Sequence, residues 1–102
     1  MEQMIKILED IRKNPCIYLG QKSVVLLYAF ISGYAVCQSR TTGIYPSDFS
    51  GFEIFVKAKY HLDQLETTHN WACMIRFFST SDAEAFDTFY NLLDEYRLVS
   101  CL

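Results

Sequence analysis

Along residues 2–13, EQMIKILEDIRK, the apolar positions Met4, Ile5, Leu8 and Ile11 recur at the spacing of one helix face, while Glu2, Lys6, Glu9 and Lys13 fall elsewhere. That pattern predicts a short amphipathic helix with a single apolar stripe. Asn14-Pro15 ends it, because proline disfavours a helical residue before it and donates no backbone N–H. Tyr18 and Leu19 then read as anchoring residues, followed by a turn at Gly20.

Residues 23–38, SVVLLYAFISGYAVCQ, are apolar on nearly every side. A helix of this kind is expected at the centre of a fold, with Ser23 as its N-cap. Gly33 inside it costs about 1 kcal/mol relative to alanine, so a close helix crossing is expected there. Residues 39–48, SRTTGIYPSD, read as a loop.

Ser50-Gly-Phe-Glu53 has the form of a capping box, with Phe49 and Ile54 placed to form a hydrophobic staple. The third helix is expected over 51–61 with Phe52, Phe55, Val56 and Tyr60 inward, and the polar stretch 62–69 ends it. In 70–78, NWACMIRFF, Trp71, Met74, Ile75 and Phe78 fit one helical face behind Asn70 as N-cap, although the aromatic content also suits a strand. Ser81 and Glu84 form a second capping box. The last helix, 82–97, turns Ala85, Phe86, Phe89, Tyr90, Leu93 and Tyr96 inward. The expectation is an all-α, compact single-domain bundle of about five helices spanning residues 1–102.

Composition agrees with a packed domain: 51% of the 102 residues are apolar and 16% aromatic. Charge is unevenly spread. Residues 1–40 carry a net +2, residues 41–80 a net −1 and residues 81–102 a net −4. With no basic strip, nucleic acid is not an expected partner. The N-terminus lacks the apolar stretch of a signal peptide, and the longest apolar run, 24–31, is too short to span a bilayer. Cys16, Cys37, Cys73 and Cys101 are too widely spaced for a zinc or redox motif. They read as buried thiols in a reducing, cytoplasmic setting with no membrane partner.

Candidate chemistry is sparse. The run IRKNPCIYLG resembles the first segment of type II topoisomerase ATP sites, but the chain has four scattered glycines and no phosphate-covering lid. His61 and His69 with Asp63 and Glu66 lack helical ligand pairing, and Cys73 near His69 lies on an apolar segment. No catalytic, cofactor or metal residues are assigned. What remains is the acidic face of the last helix, Asp82, Glu84, Asp87, Asp94 and Glu95. Such a face reads either as a solvated surface or as an electrostatic docking surface for a basic partner, with Tyr90 or Tyr96 as exposed anchors.

The motifs IRKNPCIYLGQKS, FISGY, SGFEIFVKAKY and NWACMIRFFSTSDAEAFDTFYNLLDEY together resemble small bacterial immunity proteins of contact-dependent and polymorphic toxin systems. Pro15, Tyr18, Gly20, Gly33, Tyr34 and Trp71 match as scaffold positions, while Cys16 departs from the glycine natural at such a turn. The resemblance implies a cytoplasmic, non-enzymatic protein that neutralises a cognate basic toxin domain, commonly a nuclease, by covering its active site. The alternative reading is a helical adaptor or regulatory subunit. The sequence leaves open whether the chain is a monomer or a homodimer.

Overall fold

The computed structural model describes residues 2–43, 49–62 and 70–100. Six helices occupy them: α1 (Glu2–Lys13), α2 (Pro15–Leu19), α3 (Val24–Thr42), α4 (Phe49–Lys59), α5 (Trp71–Phe77) and α6 (Asp82–Ser100). The domain is all-α, and no strand occurs among the described residues.

α6 organises the core. Its inner side buries Ala85, Phe86, Phe89, Tyr90, Leu92 and Leu93. α1 delivers Met4, Leu8 and Ile11 to the same core, as the spacing predicts. The centre is aromatic: Trp71 lies 4.8 Å from Phe89 and 5.7 Å from Phe52, ring centre to ring centre. Phe52 also meets Phe89 at 5.5 Å and Tyr96 at 5.6 Å, both edge-to-face. These are the spacings and tilts that aromatic quadrupoles favour. The segment at 70–78 is therefore helical, and its Trp71, Ala72, Met74 and Ile75 all reach the core.

Asn14-Pro15 ends one helix and starts another. Pro15 takes the first position of α2, where its missing N–H has no intrahelical partner to lose. Gly20 closes α2 in the left-handed region at φ 83°, donating its N–H to the Cys16 carbonyl. The same device closes α3: Gly43, at φ 76°, donates to the Ser39 carbonyl. The expected loop from residue 39 thus begins only after Thr42. Hydroxyls of Ser39, Thr41 and Thr42 bond back to carbonyls one turn earlier, which satisfies polar groups inside the extended helix.

Helix starts are capped, but not all as expected. Ser23 accepts from the Leu26 N–H, and Asn70 accepts from the Cys73 N–H at 2.8 Å. Ser81 accepts from the Glu84 N–H, yet the Glu84 carboxylate takes the Thr80 hydroxyl instead of reaching back to Ser81. The side chains of Phe49 and Ser50, on which the expected box and staple rest, lie outside what the structure describes, but α4 already includes both residues, Glu53 accepts the Trp71 N–H at the start of α5, and Ile54 is exposed.

Four packing expectations are overturned. α3 is not enclosed: Val24, Leu27, Ile31 and Ala35 are buried, while Val25, Leu26 and Val36 lie open to solvent. Gly33 meets no crossing helix among the described residues, since a Cβ built there has nothing within 4 Å. Cys16, Cys37 and Cys73 are exposed free thiols, and Cys101 lies outside the described residues. Phe78 is half-exposed rather than inward, stacked on Tyr60 at 4.5 Å.

Candidate functional site

Residues three and four apart share a helix face, and opposite the buried line of α6 run Asp87, Asn91, Asp94, Glu95 and Leu98. Three of the five carboxylates predicted as a docking face are thus brought together, each roughly half exposed. Each also has a cation from another part of the chain. Lys22, just before α3, reaches Asp87 at 2.8 Å, and Lys59 of α4 reaches Glu95 at 2.8 Å. Arg12 of α1 grips Asp94 with both ends of its fork, at 3.2 and 3.1 Å. The hydrogen bond that it donates to Asp94 is the main reason the Arg12 guanidinium holds its proton above its ordinary range, with burial acting in the other direction. Arg12 also lies 5.1 Å over the ring of Tyr90.

All three pairs are solvent-exposed, and exposed ion pairs are each worth about 0–1 kcal/mol. They hold α6 loosely to α1, α4 and the turn before α3, and a stronger cation can displace any of them at little cost. At the end of the row Leu98 is 74% exposed, three residues from Glu95 and four from Asp94. An apolar side chain bordered by carboxylates is the arrangement by which contact residues exclude water around a central anchor.

The other two predicted residues do something else. Asp82 points inward and accepts the Val24 N–H at 3.0 Å, completing the N-terminus of α3 from a position 58 residues away. A carboxylate there also complements the positive end of the α3 dipole. Glu84 is exposed but engaged by Thr80 within its own first turn. Nor are the two tyrosines free as anchors. Tyr90 is buried, donating its hydroxyl to the Leu8 carbonyl at 2.6 Å, and Tyr96 is half-buried between Phe52 and Phe55.

Sequence reasoning missed a second surface. The outer side of α3 exposes Val25, Leu26, Ala29, Gly33, Val36 and Cys37, with no charge between Ser23 and Arg40. Beside it an open groove of about 420 Å³ runs between α3 and α5, lined by Val25, Tyr28, Ala72, Cys73, Arg76 and Phe77. Phe77 stands on its rim, 81% exposed. The signal was in the sequence: an uncharged helix that is apolar all round must either be enclosed or present a sticky face.

Among the described residues no group of three or more His, Cys, Asp or Glu is gathered to hold a metal ion. The His61–His69 set, which the sequence does not favour as a metal site, falls partly outside them: His69, Asp63 and Glu66 are not described, and His61 is exposed at φ 60° just beyond α4. No described helix is long and apolar enough to cross a membrane. In comparisons with known proteins, no family model, curated protein or solved structure matches this chain.

Proposed function

We propose that the chain acts by binding another protein, and that it does so as an immunity protein that neutralises a basic toxin domain in the cytoplasm. The toxin assignment rests on the resemblance of the NPCIYLGQKS, FISGY and EAFDTFYNLLDEY motifs. The structural observation that supports binding through α6 is the single row of Asp87, Asp94 and Glu95 leading to exposed Leu98.

In this reading the carboxylates attract the basic active-site surface and steer its approach, and cations of the toxin replace Lys22, Arg12 and Lys59 in pairs that cost little to open. Leu98 supplies the desolvated contact that slows dissociation. Neutralisation is steric and electrostatic: the occupied toxin surface has no room for its substrate. Asp82 and Glu84 support the start of α3 and of α6, and contribute to binding only by holding that surface in shape.

The test is titration calorimetry with the purified cognate toxin domain. Asp87→Lys with Asp94→Lys is expected to weaken binding by at least tenfold and to reduce its salt dependence, with helical content unchanged. Leu98→Ala is expected to act on the dissociation rate. Affinity unchanged in both variants removes α6 as the contact surface. No binding by the parent chain to that toxin removes the immunity reading itself.

A further inference from the structure

We propose that the outer face of α3 is the seat of a second copy of this chain, forming an antiparallel, two-fold symmetric helix pair. Leu26, Ala29, Gly33, Val36 and Arg40 follow the alternating three- and four-residue spacing of a helix–helix seam. Ala29 and Gly33 sit at its centre, where small side chains let two helix axes approach to about 8 Å. Among the described residues a Cβ at Gly33 would meet nothing within 4 Å, so its smallness permits the close approach of a neighbouring helix.

The identity of the occupant follows from symmetry. A two-fold interface must be complementary to itself, so that residue i meets j and j meets i. Read backwards, this face maps onto itself: Val25 falls opposite Cys37, Leu26 opposite Val36, and Ala29 opposite Gly33. Large meets medium at the flanks and small meets small at the centre. The absence of charge from Val24 to Ser39 is automatically matched by a second copy, whereas the acidic α6 row suits a partner of opposite sign. At the ends of the seam Arg40 comes near Lys22 of the other copy, whose charge is already met by Asp87.

The exposed apolar area is close to what a dimer needs. Tyr18 of α2, packed edge-on to Phe30, flanks the seam on one side, with exposed Ile17 next to it in sequence, and Phe77 of α5 shares a groove with Val25 on the other. Ile17 is 77% exposed, Val25 56%, Val36 43% and Phe77 81%. With Tyr18 and Leu26, these side chains leave on the order of 600 Å² of apolar surface open. A stable interface takes roughly 800 Å² from each partner, a figure approached once backbone and rim atoms are included.

Sedimentation equilibrium of the purified full-length chain is expected to show a dimer at about 10 µM. Gly33→Glu is the informative variant. Its site is solvent-exposed and glycine is the poorer helix former, so the monomer is expected to be as stable as the parent or more so. Its dimer dissociation constant is expected to rise at least 100-fold. Register is tested by Val25→Cys with the other cysteines except Cys37 changed to serine: oxidation is expected to join Val25→Cys of one copy to Cys37 of the other. A parent chain that is monomeric up to 100 µM overturns the proposal. So does a dimer that survives Gly33→Glu, and so does a monomeric parent whose toxin binding is lost in that variant, which would assign the face to the toxin.

Discussion

Replacing Tyr90 with phenylalanine removes one oxygen from the interface between α1 and α6. The hydroxyl donates to the Leu8 carbonyl at 2.6 Å inside a residue that is 2% exposed. A neutral buried hydrogen bond is worth about 1 kcal/mol net, so Tyr90→Phe is expected to lower stability by about 1 kcal/mol at pH 7, or about 4–8 °C in Tm. The distinguishing feature is how this difference varies with pH. Burial, reinforced by nearby Glu9 and opposed by Arg12, pushes the phenol well above its ordinary value. The folded chain therefore holds the proton more tightly than the unfolded chain. Its contribution is complete below about pH 10, where an unfolded tyrosine keeps its proton. Above that it declines by up to about 1.4 kcal/mol per pH unit until the folded-state value is reached. Groups shared by both proteins, including the raised phenol of half-buried Tyr60, cancel in the difference. The parent and Tyr90→Phe are thus expected to reach equal stability between about pH 10 and 11, and the variant to be the more stable beyond it. Urea unfolding followed by far-UV circular dichroism from pH 7 to 11.5 reads this directly. A difference that stays constant over that range would refute the reasoning, because it would mean that the hydroxyl is neither buried nor bonded.

Two further substitutions probe the packing. In Gly51→Ala the new methyl would stand 2.5 Å from the Tyr96 hydroxyl. The displaced ring would lose its contacts with Phe52 and Phe55, and the expected result is a net loss of about 1 kcal/mol despite alanine's better helix propensity, relieved in the double variant with Tyr96→Phe. Asp82→Ala removes the acceptor of the Val24 N–H and is expected to cost about 0.5–2 kcal/mol in urea unfolding while leaving toxin affinity unchanged. A loss of affinity larger than the loss of stability would return Asp82 to the contact surface.

The helices were legible where periodicity was strong. α1 and α6 declared their buried faces through simple spacing, and Asn70 and Ser23 announced their caps. What the sequence hid was tertiary in origin. Ser50 and Glu53 have capping-box spacing, but Glu53 is better used one helix away, on the orphan Trp71 N–H. The acidic residues of α6 look unopposed in one dimension, because Lys22, Arg12 and Lys59 lie 65, 82 and 36 positions from their partners. α3 misled for a different reason. Its lack of amphipathicity points to enclosure, whereas in a chain of 102 residues there are too few other helices to surround one completely.

The dependence of so much on α6 has a consequence for how the chain is made. Synthesis proceeds from the N-terminus, at about 5–20 residues per second, and the five preceding helices are complete before Asp82 is joined. At that moment Val24 lacks its carboxylate, Leu8 its phenol, and Trp71 the ring of Phe89 against which it packs. Local helices form quickly, but contacts separated by this much chain must wait for loop closure. The nascent chain therefore reaches Asp82 with its core incomplete, the apolar side of α1 and the α6-facing side of α3 still exposed. A ribosome stalled before residue 82 should hold a protease-sensitive chain, and one that has carried the chain far enough for α6 to emerge should hold a resistant fold.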